Sequence, residues 1–253
     1  MSFLPETRKE SSRKEELPFS IVFASNTEDI CRAQKLRYEV FVQEMGAKLA
    51  CPNGLESDIF DPYCEHLLVI DQRKNLIVGY YRLLTEEGAR KAGSFYSETE
   101  FDLQRLRQKG RMLELGRACI HKDYRNGAVL ALLWSGLAKF LQDHPADFLV
   151  GCASVPLLED DSLAWTWHYL QTHHGAPPDW QVVPKHPYDV TLKEPPPGWQ
   201  PALSPLFRGY LKIGAKVCSA PAWDEIFGVA DFLLLMPIKE LNFRYVRHFI
   251  SRL

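Results

Sequence analysis

Met112-Leu113-Glu114-Leu115-Gly116-Arg117-Ala118-Cys119-Ile120, continued by His121-Lys122-Asp123-Tyr124-Arg125-Asn126-Gly127, is the stretch on which the reading of this chain turns. An apolar strand carries a carboxylate and a guanidinium three residues apart, then enters a polar turn that contains a glycine. Ala128-Val129-Leu130-Ala131-Leu132-Leu133-Trp134 opens a helix directly after it. A strand, a turn of backbone donors and a helix N-terminus together make a site for an anionic or carbonyl group. In a regular strand Arg117 would project from the face opposite Glu114, unless a bulge re-aims it.

Working outward, Phe19 to Ala24 alternates as a first strand, and Thr27 is the expected N-cap of a helix whose Ile30, Ala33, Leu36 and Val40 keep near-helical spacing to about Phe41 or Glu44. Asn53 to Asp61 is a polar, carboxylate-rich loop. Glu65–Asp71 and Leu76–Leu84 predict an antiparallel hairpin around Gln72-Arg73-Lys74-Asn75. A connector with a short helical stretch spans 95–108. A helix over 128–142, a buried strand over 148–154 and a helix over 162–172 follow. Residues 175–205 hold nine of the seventeen prolines, so regular structure there should be sparse. A helix over 206–216 and one long strand ending at Pro237 complete an α/β pattern.

The 253 residues, 46% hydrophobic and 25% charged, suit a globular chain with ample core, and the net charge of −2 argues against nucleic acid as the main partner. No apolar run reaches the ~18–20 residues that span a bilayer. The N-terminal segment 1–17 reads as a frayed tail of mixed charge without a secretory signal, which places the chain in the cytoplasm. The six cysteines lack CxxC spacing and read as reduced thiols, with no metal site expected.

Five polar clusters recur in one order: Arg37-Tyr38-Glu39-Val40-Phe41, Glu56-Ser57-Asp58-Ile59-Phe60-Asp61, Gly79-Tyr80-Tyr81-Arg82-Leu83-Leu84, Glu114-Leu115-Gly116-Arg117 and Gly151-Cys152-Ala153-Ser154. This series resembles the acyl-carrier-protein-dependent branch of the GNAT N-acyltransferases, which includes the acyl-homoserine-lactone synthases. The ornithine-lipid subgroup, the L-ornithine N-alpha-acyltransferases with their haemolysin-like members, is the nearer match. His66-Leu67-Leu68-Val69, Phe95-Tyr96-Ser97, Ala176-Pro177-Pro178 before Trp180, and Phe207-Arg208-Gly209-Tyr210-Leu211 extend the likeness over about residues 20–237. Phe227-Gly228-Val229-Ala230-Asp231 departs from it, standing where the subgroup more usually has Asn-Thr-Thr-Asp.

The resemblance implies a GNAT-like α/β fold over 18–239, a mixed, mostly antiparallel sheet flanked by helices, with a Pro-rich insertion at about 175–205. It implies transfer of a long-chain or 3-hydroxy fatty acyl group from acyl carrier protein to the α-amine of an amino acid, with ornithine favoured. The phosphopantetheine arm of the carrier presents the thioester, and no resident cofactor is expected. An amine must lose a proton to attack a thioester, which calls for a carboxylate directly or through water. Glu114 is the candidate base. Arg117 is expected to pair with the Glu56–Asp61 loop, and Arg82 to join that network or hold the acceptor's carboxylate. A backbone N–H near Cys119 or Ile120 is implied as the oxyanion donor. Arg37, Phe41, Glu56, Asp58, Asp61 and Ser154 are the expected acceptor-side residues. Lys122, Arg125, Asn126 and Gly127 are expected to receive the donor's phosphate, and the single glycine there suits a phosphodiester better than a pyrophosphate. Arg105, Arg107, Lys109, Arg111, Lys122, Arg125 and Lys139 offer a basic face to an acidic carrier.

Other readings stay open on the sequence. The acceptor can be glycine, another amino acid or S-adenosylmethionine, the donor can be a CoA thioester, and a silent carrier- or lipid-binding module would need the same surfaces. Glu114 and Arg117 also fit a structural ion pair. His174 and Asp179 have the His-x4-Asp spacing of glycerolipid O-acyltransferases, but two prolines interrupt the spacer. The basic, aromatic segment 240–253 fits peripheral contact with an anionic membrane or packing on the core.

Overall fold

The computed structural model describes residues 18–158 and 160–240; the expected N-terminal tail and the basic segment from 241 onward lie outside the described residues. The chain runs β1 (Phe19–Phe23), α1 (Thr27–Arg37), a π-helical turn (Tyr38–Glu44), β2 (Glu65–Asp71), β3 (Leu76–Thr85), α2 (Glu86–Ala92) and α3 (Gln104–Arg107). It continues through β4 (Met112–Ile120), α4 (Ala128–Asp143), β5 (Phe148–Pro156), α5 (Ser162–His174), α6 (Pro205–Ile213), β6 (Lys216–Val217), β7 (Ala222–Asp224) and β8 (Val229–Pro237). One sheet is ordered β1-β2-β3-β4-β5-β8-β6, with β7 also on β8. Every pairing in it is antiparallel except β4 with β5.

Local chemistry explains the boundaries. The cap of α1 is Asn26, one residue before the expected Thr27: Asn26 Oδ1 accepts the Asp29 N–H at 2.9 Å. α1 continues into a wider π turn where the spacing predicted plain helix, because a 3.6-residue stripe does not distinguish the two. The sequence reading passed over α2, though Thr85 caps it (Gly88 N–H to Oγ1, 3.1 Å) and Gly93 ends it at φ 96°. α6 stops at Ile213, short of the expected Lys216, because Gly214 turns the chain at φ 107°. Over 175–204 the only helical piece is Pro178–Trp180, as the prolines require, and Pro205 opens α6.

α4 buries Val129, Leu133, Leu137 and Phe140 on the sheet, in the apolar cluster that also holds Leu67, Val69, Tyr81 and Leu115. A second cluster around Phe95, Phe101, Leu106 and Leu233 anchors the 95–108 connector on the opposite face. A third joins α1 and the π turn to Leu68 and Tyr80. The ends of β3, β4, β5 and β8 are thus fixed from both faces, and the polar clusters of the sequence lie on this frame.

Candidate active site

The defining geometry is a parting of strands. β4 pairs with β5 only over Met112–Glu114 and Phe148–Val150; beyond Glu114 β5 continues beside β8 alone. Gly151 sits where the gap begins. A Cβ there would lie 2.4 Å from the Leu115 carbonyl oxygen, so only glycine allows the strands to approach this closely before they diverge.

Arg117 owes its direction to a bulge. The β3–β4 register slips between Tyr80 and Arg82, and Arg117 takes φ 51°, a left-handed conformation rare for a residue with a side chain. Its guanidinium thereby reaches the 56–61 loop, with Nε on Glu56 Oε1 at 3.2 Å and Nη2 on Asp58 Oδ2 at 3.0 Å. Arg82 Nη1 donates to Asp58 Oδ1 (2.6 Å) and Asp61 Oδ1 (2.7 Å). Arg37 Nε donates to Glu56, and its Nη1 lies 2.9 Å from both Asp61 oxygens. The sequence reading gave Arg82 two possible places; the structure puts it inside the network. Burial disfavours the charged form of Asp61, yet the Arg37 and Arg82 charges and hydrogen bonds hold its carboxyl below the usual carboxylate range.

His66 completes the network beneath the loop. Its Nε2 meets the Asp61 carbonyl at 3.0 Å, an atom that can only accept, so Nε2 carries the hydrogen. Burial lowers the His66 pKa and favours the neutral ring, whose Nδ1 then accepts from the Tyr80 hydroxyl at 2.7 Å. Tyr80 in turn accepts from Arg37 Nη1 at 3.3 Å.

Glu114 stands at the vertex of the gap and is 3% exposed. Its carboxylate accepts the Tyr96 and Ser97 N–H groups, each at 2.7 Å, and the Ser97 hydroxyl at 2.5 Å. These donors open the 3-10 turn Tyr96–Thr99, so Glu114 ties β4 to the connector. Burial pushes its pKa up despite those donors. The Tyr96 ring covers the guanidiniums, 4.5 Å from Arg117 Cζ and 5.6 Å from Arg82 Cζ. Phe227 faces Arg117 at 5.4 Å and meets Phe41 edge to face at 5.7 Å, so Phe41, itself buried, borders the site through Phe227.

At the far end of β4 the His121 N–H donates to the Val78 carbonyl at 2.9 Å. Successive N–H groups alternate along a strand, so Ile120 turns its N–H away from β3 toward the gap and Cys119 turns its own toward β3. Ile120 O points the same way and accepts from Arg125 Nε at 2.9 Å. Arg125 also reaches Glu44 at 2.8 Å, and Asn126 Oδ1 takes the Ala128 N–H at 3.1 Å. Gly127, at φ 92°, precedes α4, and Lys122 is exposed in the same turn. Much of the basic face is paired locally: Arg107 with Glu86 and Glu98, Lys109 with Asp179, Arg111 with Asp147, and Arg125 with Glu44. Asp179 thus serves Lys109, which leaves the His174–Asp179 spacing without a dyad.

Beyond the expected residues the structure adds Tyr96, Ser97, Phe227 and the group of Glu100, Cys152 and Asp231, beside which the expected Ser154 lies exposed. Ser154 lies opposite Asp231 across β5–β8. Carboxyl oxygens of Glu100 and Asp231 and Cys152 Sγ lie within 4.8 Å of one another. The Gly-Cys-Ala-Ser motif signalled the β5 half of this group; nothing in the sequence joined Glu100 to Asp231.

The fold and this parting of β4 and β5 define an acyltransferase of the GNAT class. Residues 36–135 match the family model "Acetyltransferase (GNAT) domain". The chain is 36% identical over 243 residues to the L-ornithine N(alpha)-acyltransferase of Brucella abortus (strain 2308), covering 89% of this chain and 86% of that one. It is 34% identical over 249 residues to the enzyme of the same name from Rhodobacter capsulatus, covering 93% and 96%. Among solved structures, the CoA-dependent acyl-homoserine lactone synthase BjaI shares the fold at TM-score 0.52 and 16% identity, over 92% of this chain and 87% of that one. The chain belongs to the L-ornithine N(alpha)-acyltransferase family.

Proposed function

We propose that this protein transfers a long-chain or 3-hydroxy fatty acyl group from the phosphopantetheine thioester of acyl carrier protein to the α-amine of ornithine, giving a lyso-ornithine lipid. The observation that carries this reading is the gap that opens at Glu114, with the Ile120 N–H turned into it and the locked arginine–carboxylate network along one side. The relatives' names support ornithine as acceptor.

In the reaction the amine nitrogen attacks the thioester carbonyl carbon. Glu114, a carboxylate whose pKa burial raises, takes the amine proton through a water on a lone pair left by its three donors. The Ile120 N–H receives the oxyanion. Collapse breaks the carbon–sulfur bond, and the departing pantetheine thiolate takes up a proton to leave amide and free thiol. Arg37, Arg82 and Arg117 with Glu56, Asp58 and Asp61 hold the acceptor wall rigid beside Phe41 and Phe227. Lys122, Arg125, Asn126 and Gly127 at the start of α4 meet the donor's single phosphodiester. Among the described residues no helix is long and apolar enough to cross a membrane, and we place the reaction at the cytoplasmic face of one, where a lipid product can leave.

Donor choice is tested by comparing acyl carrier protein and CoA thioesters of one fatty acid under identical conditions. The reading expects kcat/KM to favour the carrier by roughly 100-fold or more, since docking adds binding energy that CoA lacks. A preference for CoA would replace the donor and leave the amide-forming chemistry in place.

A further inference from the structure

The arginine–carboxylate network balances itself. Three guanidiniums, Arg37, Arg82 and Arg117, face three carboxylates, Glu56, Asp58 and Asp61, in reciprocal ion pairs. It therefore has no negative charge to spare for a cationic acceptor. Glu100 and Asp231 are different. Asp231 is 4% exposed, and its Oδ1 is buried without a hydrogen-bond partner, as are both carboxyl oxygens of Glu100. The nearest thiol, Cys152, has one hydrogen to divide between Ser97 Oγ at 3.5 Å and Glu100, too little to balance two carboxyls. Lys185 bonds Glu100 through its main chain but sends its ammonium to the Glu98 carbonyl. Two buried carboxyls this close demand a cation or a retained proton.

Their position gives the cation an identity. Ser154 and Asp231 face each other across β5–β8, on the stretch of β5 that has parted from β4. Tyr96, the ring over Arg117, stands between the network and the pair: its hydroxyl interacts with Arg117 and feels the charge of Glu100. A molecule lying along Tyr96 thus meets a neutralised network at one end and unbalanced carboxyls only at the other, which suits an amino acid with a cation on its side chain. We propose that Glu100 and Asp231, with Ser154 at their rim, form the subsite for the side-chain ammonium of a diamino acid acceptor and so set the preference for a cationic side chain. This rests on the reading that the acceptor is an amino acid. Burial raises both carboxyls, helped at Glu100 by the charges of Asp231 and Asp224 and at Asp231 by that of Asp224, so the pair keeps a proton near neutrality that an incoming ammonium replaces. Cys152, its thiol pushed well up by burial, stays protonated and adds no negative charge to the pair.

The test compares L-ornithine with L-norvaline, the same carbon chain without the second amine, in calorimetric binding and in acyl transfer, for the wild type, E100Q and D231N. The ornithine-to-norvaline ratio of kcat/KM should fall roughly 10- to 100-fold in either variant, mainly through KM for ornithine, as loss of a charged hydrogen-bond partner predicts. A ratio that keeps its wild-type value in folded variants overturns the proposal. So does equal loss for both amino acids, or a shift in preference between hydroxylated and plain acyl chains instead. Stoichiometric zinc uptake that E100Q abolishes would make the group a metal site and overturn it too. Ornithine binding that E100Q weakens, without transfer to any amine, would sink the transferase reading and leave the subsite. Should both variants fail to fold, the wild type decides: equal use of norvaline, 2,4-diaminobutyrate, ornithine and lysine contradicts the proposal.

Discussion

Arg117 Nε and Glu56 Oε1 meet at 3.2 Å although 61 positions separate them in the chain, and the contact exists because Arg117 sits in a bulge at φ 51°. The bulge carries a guanidinium across to the loop that the other two arginines hold from behind. Arg117→Ala leaves Glu56 and Asp58 without one of their cations, and removing one partner of a buried pair costs about 3–5 kcal/mol. Denaturant unfolding should show a loss of that order, and acyl transfer should fall below one per cent. Arg117→Lys should not restore activity, because one ammonium cannot engage both carboxylates as the planar fork does. Full rescue by lysine would show that charge alone suffices.

Glu114 joins the vertex of the gap to Tyr96 and Ser97. Glu114→Gln should lower kcat by roughly 100- to 10,000-fold, the usual contribution of a general base. The pH profile distinguishes a base from a brace. In the wild type kcat/KM should rise with pH through the raised carboxyl pKa of Glu114. In E114Q that limb should vanish from the residual rate. An unchanged profile would reduce Glu114 to a brace for the 96–99 turn.

Gly151 marks the narrowest approach of β5 to β4. Gly151→Ala would place a methyl 2.4 Å from the Leu115 carbonyl oxygen, so the strands must separate. Overpacking of this kind costs about 1–3 kcal/mol. A lower Tm together with a larger proportional loss in kcat than in binding is expected. A variant as active and stable as the wild type would mean that the strands part without strain.

Acid and base should act oppositely on two parts of the molecule. Asp61 is held below its ordinary pKa by Arg37 and Arg82 against the opposing effect of burial. Its contribution to stability is therefore present above the unfolded value, near 4, and is lost as pH falls through the lower folded value. Glu100 is raised by burial first and by Asp231 and Asp224 next, so the folded state binds the extra proton. Its contribution is present at acid pH, below the unfolded value, and is lost as pH rises through the folded one. Unfolding curves of E100Q should flatten on the alkaline side alone. A matching change on the acid side would contradict this division.

Much of this was legible in the chain. The hairpin, the central strand, α4 and the Pro-rich stretch follow from alternation, helical spacing and backbone restriction, and the ordered polar clusters identified the family. What escaped notice is non-local or degenerate. Seven residues of π turn are too few for their wider period to stand apart from an α-helical one, so the widening at Tyr38 left no signal. Asn26 and Thr27 are both good caps, and only the hydrogen bond to Asp29 decides between them. Glu100 and Asp231 meet only because β8 returns beside β5 and the connector crosses over both, a placement no local pattern encodes. The choice between Cys119 and Ile120 required knowing which strand neighbour each N–H faces.

The most direct test of the central claim is to incubate the purified protein with a 3-hydroxyacyl carrier protein and a panel of amino acids, following free thiol and product mass together. Thiol release that depends on ornithine, with the mass of the corresponding amide, is the predicted result. Release driven by a different amine would keep the chemistry and change the acceptor. Carrier binding with no thiol release for any amine would contradict the account and leave a binding module in its place.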